Sequence, residues 1–291
     1  LNVALGGSLY QRIFEMPERF NHRRRKGPMT LDERYGPAHS VRLTAGGRLI
    51  ELAGFEAVYL TGGGYSRANG YPDIGLLTMT EVTQWIARTV DAVEIPVIAD
   101  MDAGLRKDLT EFRSLPGYKK CGHYEGKLIV SKAEMVGKIK AAVDTRRDAD
   151  MVIIARSDSR AIEGLQASID RVNAYLEAGA DIGFVEAPQS AEELAAIPRQ
   201  LIKPALANIF EGGKTPPLPK KDLEAMGFRI GIYPSQTHRA AIAAAKRVLA
   251  VLKRDGDTAA IESELATFND REDAVNSRHW RELETKYLKD V

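Results

Sequence analysis

Residues 176–188 read LEAGADIGFVEAP, and the layout returns at 51–60, ELAGFEAVYL, and at 224–233, EAMGFRIGIY. Each stretch has a helix end, a glycine (Gly54, Gly179, Gly227), two or three residues and then a short apolar strand. Glycine just past a helix supplies the left-handed conformation in which the last carbonyls find partners. The strands AVYL, IGFV and IGIY are continuous apolar runs, which suit a parallel sheet covered on both faces. IPVIAD (95–100), MVIIARSD (151–158) and KPALAN (203–208) follow the same grammar, after helices near 80–93, 132–143 and 191–197. Capping boxes that pair Thr78 with Glu81, Ser131 with Glu134 and Ser190 with Glu193 mark helix starts. Alternating βα units of this length predict an α/β protein, either a doubly wound sheet or a TIM-type barrel. Helices at roughly 236–253, 258–266 and 277–288 follow the sixth strand. The expected division is an N-terminal segment 1–45, a barrel domain 46–240 and C-terminal helices 241–291. Those last helices are read as an oligomer contact or as packing on their own barrel.

Bulk properties narrow the function. The chain has 291 residues, enough for one barrel, with 44% hydrophobic and 28% charged residues. Lys plus Arg is 41 and Asp plus Glu is 40, a formal charge of +1. That balance argues against nucleic acid or an anionic membrane as the main partner. The basic run His22–Lys26 is read as a solvated segment. Cys121 is the single cysteine, which excludes an intrachain disulfide framework. No apolar run reaches about 18 residues, and the opening LNVAL lacks the basic region of a secretory signal. A cytoplasmic protein is expected.

Polar and glycine-rich residues sit just after the strands: TGGG (61–64), DMDAG (100–104), RSDSR (156–160), EAP (186–188), NIFEGGKTP (208–216) and PSQTHR (234–239). In parallel α/β proteins the carboxyl ends of the strands carry the active site. Asp100 and Asp102, two residues apart at a strand end, suit a hard cation, Mg²⁺ or Mn²⁺, or else a helix cap. Asp73 is a third candidate carboxylate. Arg156 suits a substrate carboxylate, or else an ion pair with Asp158 or Glu186. The TGGG run offers N–H groups to an anion, or makes a tight turn. Cys121, flanked by Lys119, Lys120 and His123, has surroundings that favour a thiolate and suit acid–base work.

Together these residues resemble the isocitrate lyase/phosphoenolpyruvate mutase superfamily, near its methylisocitrate lyase, dimethylmalate lyase and carboxyphosphonoenolpyruvate mutase group. The matching text is AGFEAVYLTGGG, GYPDIGLLTMTEV, IPVIADMDAG, KKCGH, VIIARSD, FVEAP, LANIFEGGKTP and IYPSQTHRAAI. The resemblance implies a (β/α)8 barrel with added C-terminal helices, a homotetramer, Mg²⁺ and a small carboxylate substrate. By position it implies metal-holding Asp100, Asp102 and Asp73. Tyr59, Thr61, Gly62, Gly63, Arg156, Glu186 and Asn208 would bind substrate. Lys120, Cys121 and His123 would serve catalysis from a mobile loop. The implied reaction is C–C lysis of a 2-hydroxy di- or tricarboxylate to a 2-oxo acid and a carboxylate. The alternatives are a carboxyphosphonoenolpyruvate-type phosphonomutase, an oxaloacetate decarboxylase, or an inactive ligand-binding barrel.

The chain departs from the family pattern in two places. Only 14 residues, Leu105–Tyr118, lie between DMDAG and KKCGH, where the family carries a helix and strand. That leaves one barrel unit missing or altered. Ahead of the helix RLIELAG, where the family has its first strand, the chain offers HSVRLTAGG (39–47).

Overall fold

The computed structural model describes residues 44–73, 75–100 and 129–287. The first unit comprises α1 (Thr44–Leu52), β1 (Val58–Leu60), α2 (Gly62–Ala68), α3 (Met79–Val90) and β2 (Val97–Ala99). The second begins with α4 (Lys132–Thr145), β3 (Ile154–Ser157), α5 (Arg160–Glu163), α6 (Leu165–Glu177) and β4 (Ile182–Val185). It continues with α7 (Ala191–Gln200), β5 (Ala205–Asn208), α8 (Lys220–Met226) and β6 (Ile230–Ile232). A helical tail follows: α9 (Gln236–Asp255), a 3₁₀ turn (Ala259–Glu264), α10 (Phe268–Ala274) and α11 (Ser277–Tyr287). All six expected strands form. They make two parallel arcs, β1–β2 and β3–β4–β5–β6, in the manner of a (β/α)8 barrel.

Alternation along the strands sorts the side chains into two layers. Ala155, Val185, Ala205 and Ala207 face outward and pack with Ile169, Val172, Leu176, Leu194 and Ile197 of the helices. Phe184, Leu206 and Ile232 face inward with Ile154, Ile182 and Ile230, and Tyr59 of β1 packs into the same cluster. Tyr59 therefore joins the two arcs across the barrel interior. A separate cluster of Val58, Leu60 and Ile86 seats α1 and α3 on the first arc.

Gly54, Gly179 and Gly227 have φ of +81°, +115° and +105°, the left-handed role read from the sequence. The Thr78 box is reciprocal, with Glu81 returning a bond to the Thr78 N–H at 2.8 Å. Ser131 and Ser190 accept from Glu134 and Glu193, but Glu193 reaches the Gln189 N–H instead of returning to Ser190.

Two boundaries differ from expectation. β3 begins only at Ile154, because Asp181 takes the Ile153 N–H and leaves Met151 and Val152 exposed. Residues 44–47, the end of the segment that stands where the family has its first strand, are helical; Gly47 belongs to α1, where a Cβ would lie 3.0 Å from Thr89. α9 forms over the expected 236–253 and extends to Asp255. The short segment 105–118 lies outside the described residues.

Candidate active site

Inward-facing positions at the carboxyl ends of β1, β3, β4 and β5 deliver Tyr59, Arg156, Glu186 and Asn208 to one place. β3 pairs in register with β4, so Arg156 lies opposite Phe184, and its guanidinium sits 5.0 Å from the centre of that ring. Arg156 donates to Asp158 through Nε at 3.0 Å and Nη2 at 2.7 Å, and Nη2 lies 3.1 Å from Glu186 Oε2. The ion pairs anticipated as the alternative role of Arg156 are both present. Asn208 Nδ2 donates to the two Glu186 oxygens at 3.2 and 3.3 Å. Glu186 is 1% exposed. A carboxylate this deep is tolerable only because an arginine and an amide face it. Burial alone would loosen the Arg156 proton, but the charges of Glu186 and Asp158 outweigh it and hold the guanidinium above its ordinary range.

On the other side, Asp100 Oδ2 accepts from the Gly62 N–H at 3.3 Å and from the Tyr59 hydroxyl at 3.4 Å. Burial, then the neighbouring Asp100 charge, pushes the Tyr59 phenol well above its usual value, so it stays protonated. Arg156 and Glu186 also act on that phenol, which places all four groups in one electrostatic neighbourhood. The TGGG run opens α2, with Thr61 as its N-cap residue. One of the N–H groups expected to face an anion is thus engaged by Asp100.

Gly63 accounts for the glycine run. A Cβ there would fall 2.9 Å from Asp73 Oδ2 and 2.8 Å from Arg67 Nη1. Asp73, 5% exposed, thus packs its carboxylate directly against residue 63, where a side chain would make it and the Arg67 guanidinium give way. Asp100 and Asp73 flank the consecutive residues Gly62 and Gly63. Two carboxylates on a glycine cradle offer hard oxygen donors, which fit Mg²⁺ or Mn²⁺. Among the described residues no group of three or more His, Cys, Asp or Glu comes together. Asp102, Lys120, Cys121 and His123 lie outside the described residues.

Three buried side-chain oxygens near the strand ends have no partner among the described residues: Asn208 Oδ1, Thr215 Oγ1 and Ser235 Oγ. Buried polar atoms are nearly always bonded, so each is suited to a ligand. Thr215 and Ser235 were not singled out from the sequence. Both fall within strand-end text, in GGKTP and PSQTHR, but nothing local distinguishes them from ordinary loop hydroxyls.

A buried cluster of charged and polar side chains at the strand ends of a barrel-type α/β fold is the arrangement of an α/β-barrel enzyme. The chain belongs to the phosphoenolpyruvate phosphomutase family, which matches residues 43–115 and 118–253. It is 42% identical over 257 residues to a 2,3-dimethylmalate lyase of Eubacterium barkeri, covering 82% of this chain and 89% of that one. It is 37% identical over 261 residues to a 2-methylisocitrate lyase of Halalkalibacterium halodurans, covering 84% and 86%. Among solved structures, a 2,3-dimethylmalate lyase of the PEP mutase/isocitrate lyase superfamily superposes with TM-score 0.75 at 31% identity, over 84% of this chain and 87% of that one. A phosphonopyruvate hydrolase in complex with oxalate and Mg²⁺ superposes with TM-score 0.72 at 26% identity, over 84% and 91%. Residues 1–61 also match a second family, peptidase C26, which overlaps the first over α1 and β1. No helix among the described residues is long and apolar enough to cross a membrane.

Proposed function

We propose that this chain is a divalent-metal-dependent carbon–carbon lyase acting on a small 2-hydroxy di- or tricarboxylate of the dimethylmalate or methylisocitrate kind. The observation that carries this reading is the inward-facing set Tyr59, Asp100, Arg156, Glu186 and Asn208 at the strand ends, in a chain 42% identical to a 2,3-dimethylmalate lyase.

The chemistry follows from the substrate. The C2 hydroxyl loses its proton to one of the strand-end carboxylates, its oxygen becomes the carbonyl of a 2-oxo acid, and the C2–C3 bond breaks with its electron pair on C3. That carbon, beside a carboxylate, then takes a proton. Dimethylmalate gives pyruvate and propionate in this way; methylisocitrate gives pyruvate and succinate. Asp100, Asp102 and Asp73 would hold the dication, Mg²⁺ or Mn²⁺. When bound it neutralises negative charge on the 2-oxo acid oxygen, worth several kcal/mol.

The chain's own residues do the rest. Arg156 grips a substrate carboxylate while Asp158, Glu186 and Phe184 fix its orientation. The neutral Tyr59 hydroxyl donates within the pocket, and the N–H groups of the Thr61–Gly63 backbone lie beside it. Asn208 Oδ1 offers an acceptor. Cys121, supported by Lys120 and His123, supplies the proton to C3; this assignment rests on the KKCGH resemblance. The exposed apolar side chains of the tail, Leu249, Leu252, Phe268, Trp280 and Tyr287, support a homo-oligomer, a tetramer by resemblance. The cytoplasm is the compartment proposed.

Pyruvate release tests the reading. It is expected from at least one of the two substrates with Mg²⁺, and to cease with a chelator. Release unaffected by chelation removes the metal. Phosphonate formation seen by phosphorus NMR, or decarboxylation of oxaloacetate alone, would replace the lyase.

A further inference from the structure

Glu186 sits at the head of a loop with an unusual backbone. Ala187 has φ +57°, is 2% exposed, and precedes Pro188. A residue with a Cβ avoids the left-handed region, and a residue before proline favours extended backbone. Such a conformation persists only where its surroundings over-determine it. Upstream, Glu186 N–H donates to the Ser157 carbonyl at 3.0 Å, continuing the β3–β4 ladder. Downstream, Gln189 N–H donates to Glu193 Oε2 at 2.8 Å. Glu193 in turn accepts both prongs of Arg160, Nε at 2.9 Å and Nη2 on the other oxygen. Arg160 lies four residues past Arg156, just beyond the end of β3. Both side chains are largely shielded, with 18% and 21% exposed. A single two-pronged pair therefore ties the segment following Arg156 to the loop bearing Glu186, and it closes on the residue two after the strained alanine.

We propose that Arg160 and Glu193 are positioning residues: their clasp holds Ala187 in its left-handed conformation and so keeps Glu186 against Arg156. Both act through the loop backbone that carries Glu186. The kinetic arm of the test rests on the lyase reading above; the structural arm does not.

The experiment compares Arg160→Met with the double variant Arg160→Met/Ala187→Gly. Misplacement of a catalytic constellation by about 1 Å costs up to about 100-fold, so Arg160→Met is expected to lower kcat about 10- to 100-fold with KM nearly unchanged. Glycine adopts the left-handed turn without the clasp, so the double variant recovers part of the lost kcat. If Arg160→Met folds poorly, Arg160→Lys keeps the charge, loses the two-pronged geometry and gives the same reading. A wild-type kcat in Arg160→Met, or a loss that Ala187→Gly does not relieve, overturns the proposal. If the wild-type chain turns over neither substrate, the lyase reading fails and a crystal structure of Arg160→Met decides the clasp. Ala187 leaving positive φ, with Arg156 out of hydrogen-bonding reach of Glu186, supports it. Both features retained overturns it.

Discussion

Arg156 Nη2 lies 3.1 Å from Glu186 Oε2, and the carboxylate is far more deeply buried than the arginine, at 1% against 31% side-chain exposure. The charge most dependent on the pair is therefore the glutamate. Replacing Arg156 by methionine removes this counter-charge and leaves the amide of Asn208 facing the carboxylate. Breaking a buried pair costs about 3–5 kcal/mol when one partner is removed, and the lower end applies because the arginine is partly solvated. Thermal or urea unfolding of Arg156→Met is expected to show that loss, and Glu186→Gln in the same background to recover most of it. An Arg156→Met chain as stable as wild type would mean that Glu186 does not carry its charge there.

The glycine cradle gives a second expectation. Gly63→Ala places a Cβ 2.9 Å from Asp73 Oδ2 and 2.8 Å from Arg67 Nη1. The Asp73 carboxylate and the Arg67 guanidinium must both shift to admit it. Calorimetric Mg²⁺ titration of Gly63→Ala is expected to show affinity about tenfold or more below wild type, with a far-ultraviolet circular dichroism spectrum unchanged. Equal affinity would remove Asp73 from the metal set.

Much of this arrangement is legible in the sequence, for physical reasons. The six strands stand out because sheet residues covered on both faces are apolar without interruption. The C′ glycines stand out because few other residues adopt their backbone. Arg156, Glu186 and Asn208 could be placed at one rim because each directly ends, or follows, such a strand. α2 was not foreseen, since Gly62, Gly63 and Gly64 are poor helix formers; steric room for Asp73 and Thr61 matters more there than propensity. α10, FNDREDA, has no apolar periodicity and is started by a hydroxyl cap at Thr267, with Asp270 in place of the usual Glu or Gln. The Arg160–Glu193 clasp and the orphan oxygens of Thr215 and Ser235 depend on which loops meet, which no local pattern encodes.

Acid should open the clasp. The Arg160 guanidinium, and beyond it the Gln189 N–H, hold the Glu193 carboxyl below its ordinary value of 4.5. A lowered folded-state value means that the stabilisation is fully present above the unfolded value and is lost as pH falls through the folded one. The difference in melting temperature between wild type and Glu193→Gln is therefore expected to stay constant above about pH 5 and to shrink at lower pH. A difference that grows on acidification would contradict the direction of the shift.

Behind Arg156, three buried hydroxyls form a network on the outer face of β3. Ser157 Oγ lies 2.9 Å from Ser159 Oγ, and Ser168 Oγ donates to Ser157 Oγ at 3.2 Å. Ser168→Ala leaves buried hydroxyls short of a partner and is expected to cost about 1–3 kcal/mol in urea unfolding. A neutral outcome would mean that water replaces the missing hydroxyl.

The most direct test of carbon–carbon cleavage is proton NMR of the products formed from 2,3-dimethylmalate in deuterium oxide with Mg²⁺. Breaking C2–C3 and protonating C3 from an exchangeable donor predicts pyruvate and propionate in equal amounts, with a single deuterium beside the propionate carboxylate. Under conditions where the chain is folded and metal-loaded, propionate without deuterium would contradict protonation from an exchangeable group. The absence of both products from this substrate and of pyruvate from 2-methylisocitrate would contradict the lyase itself.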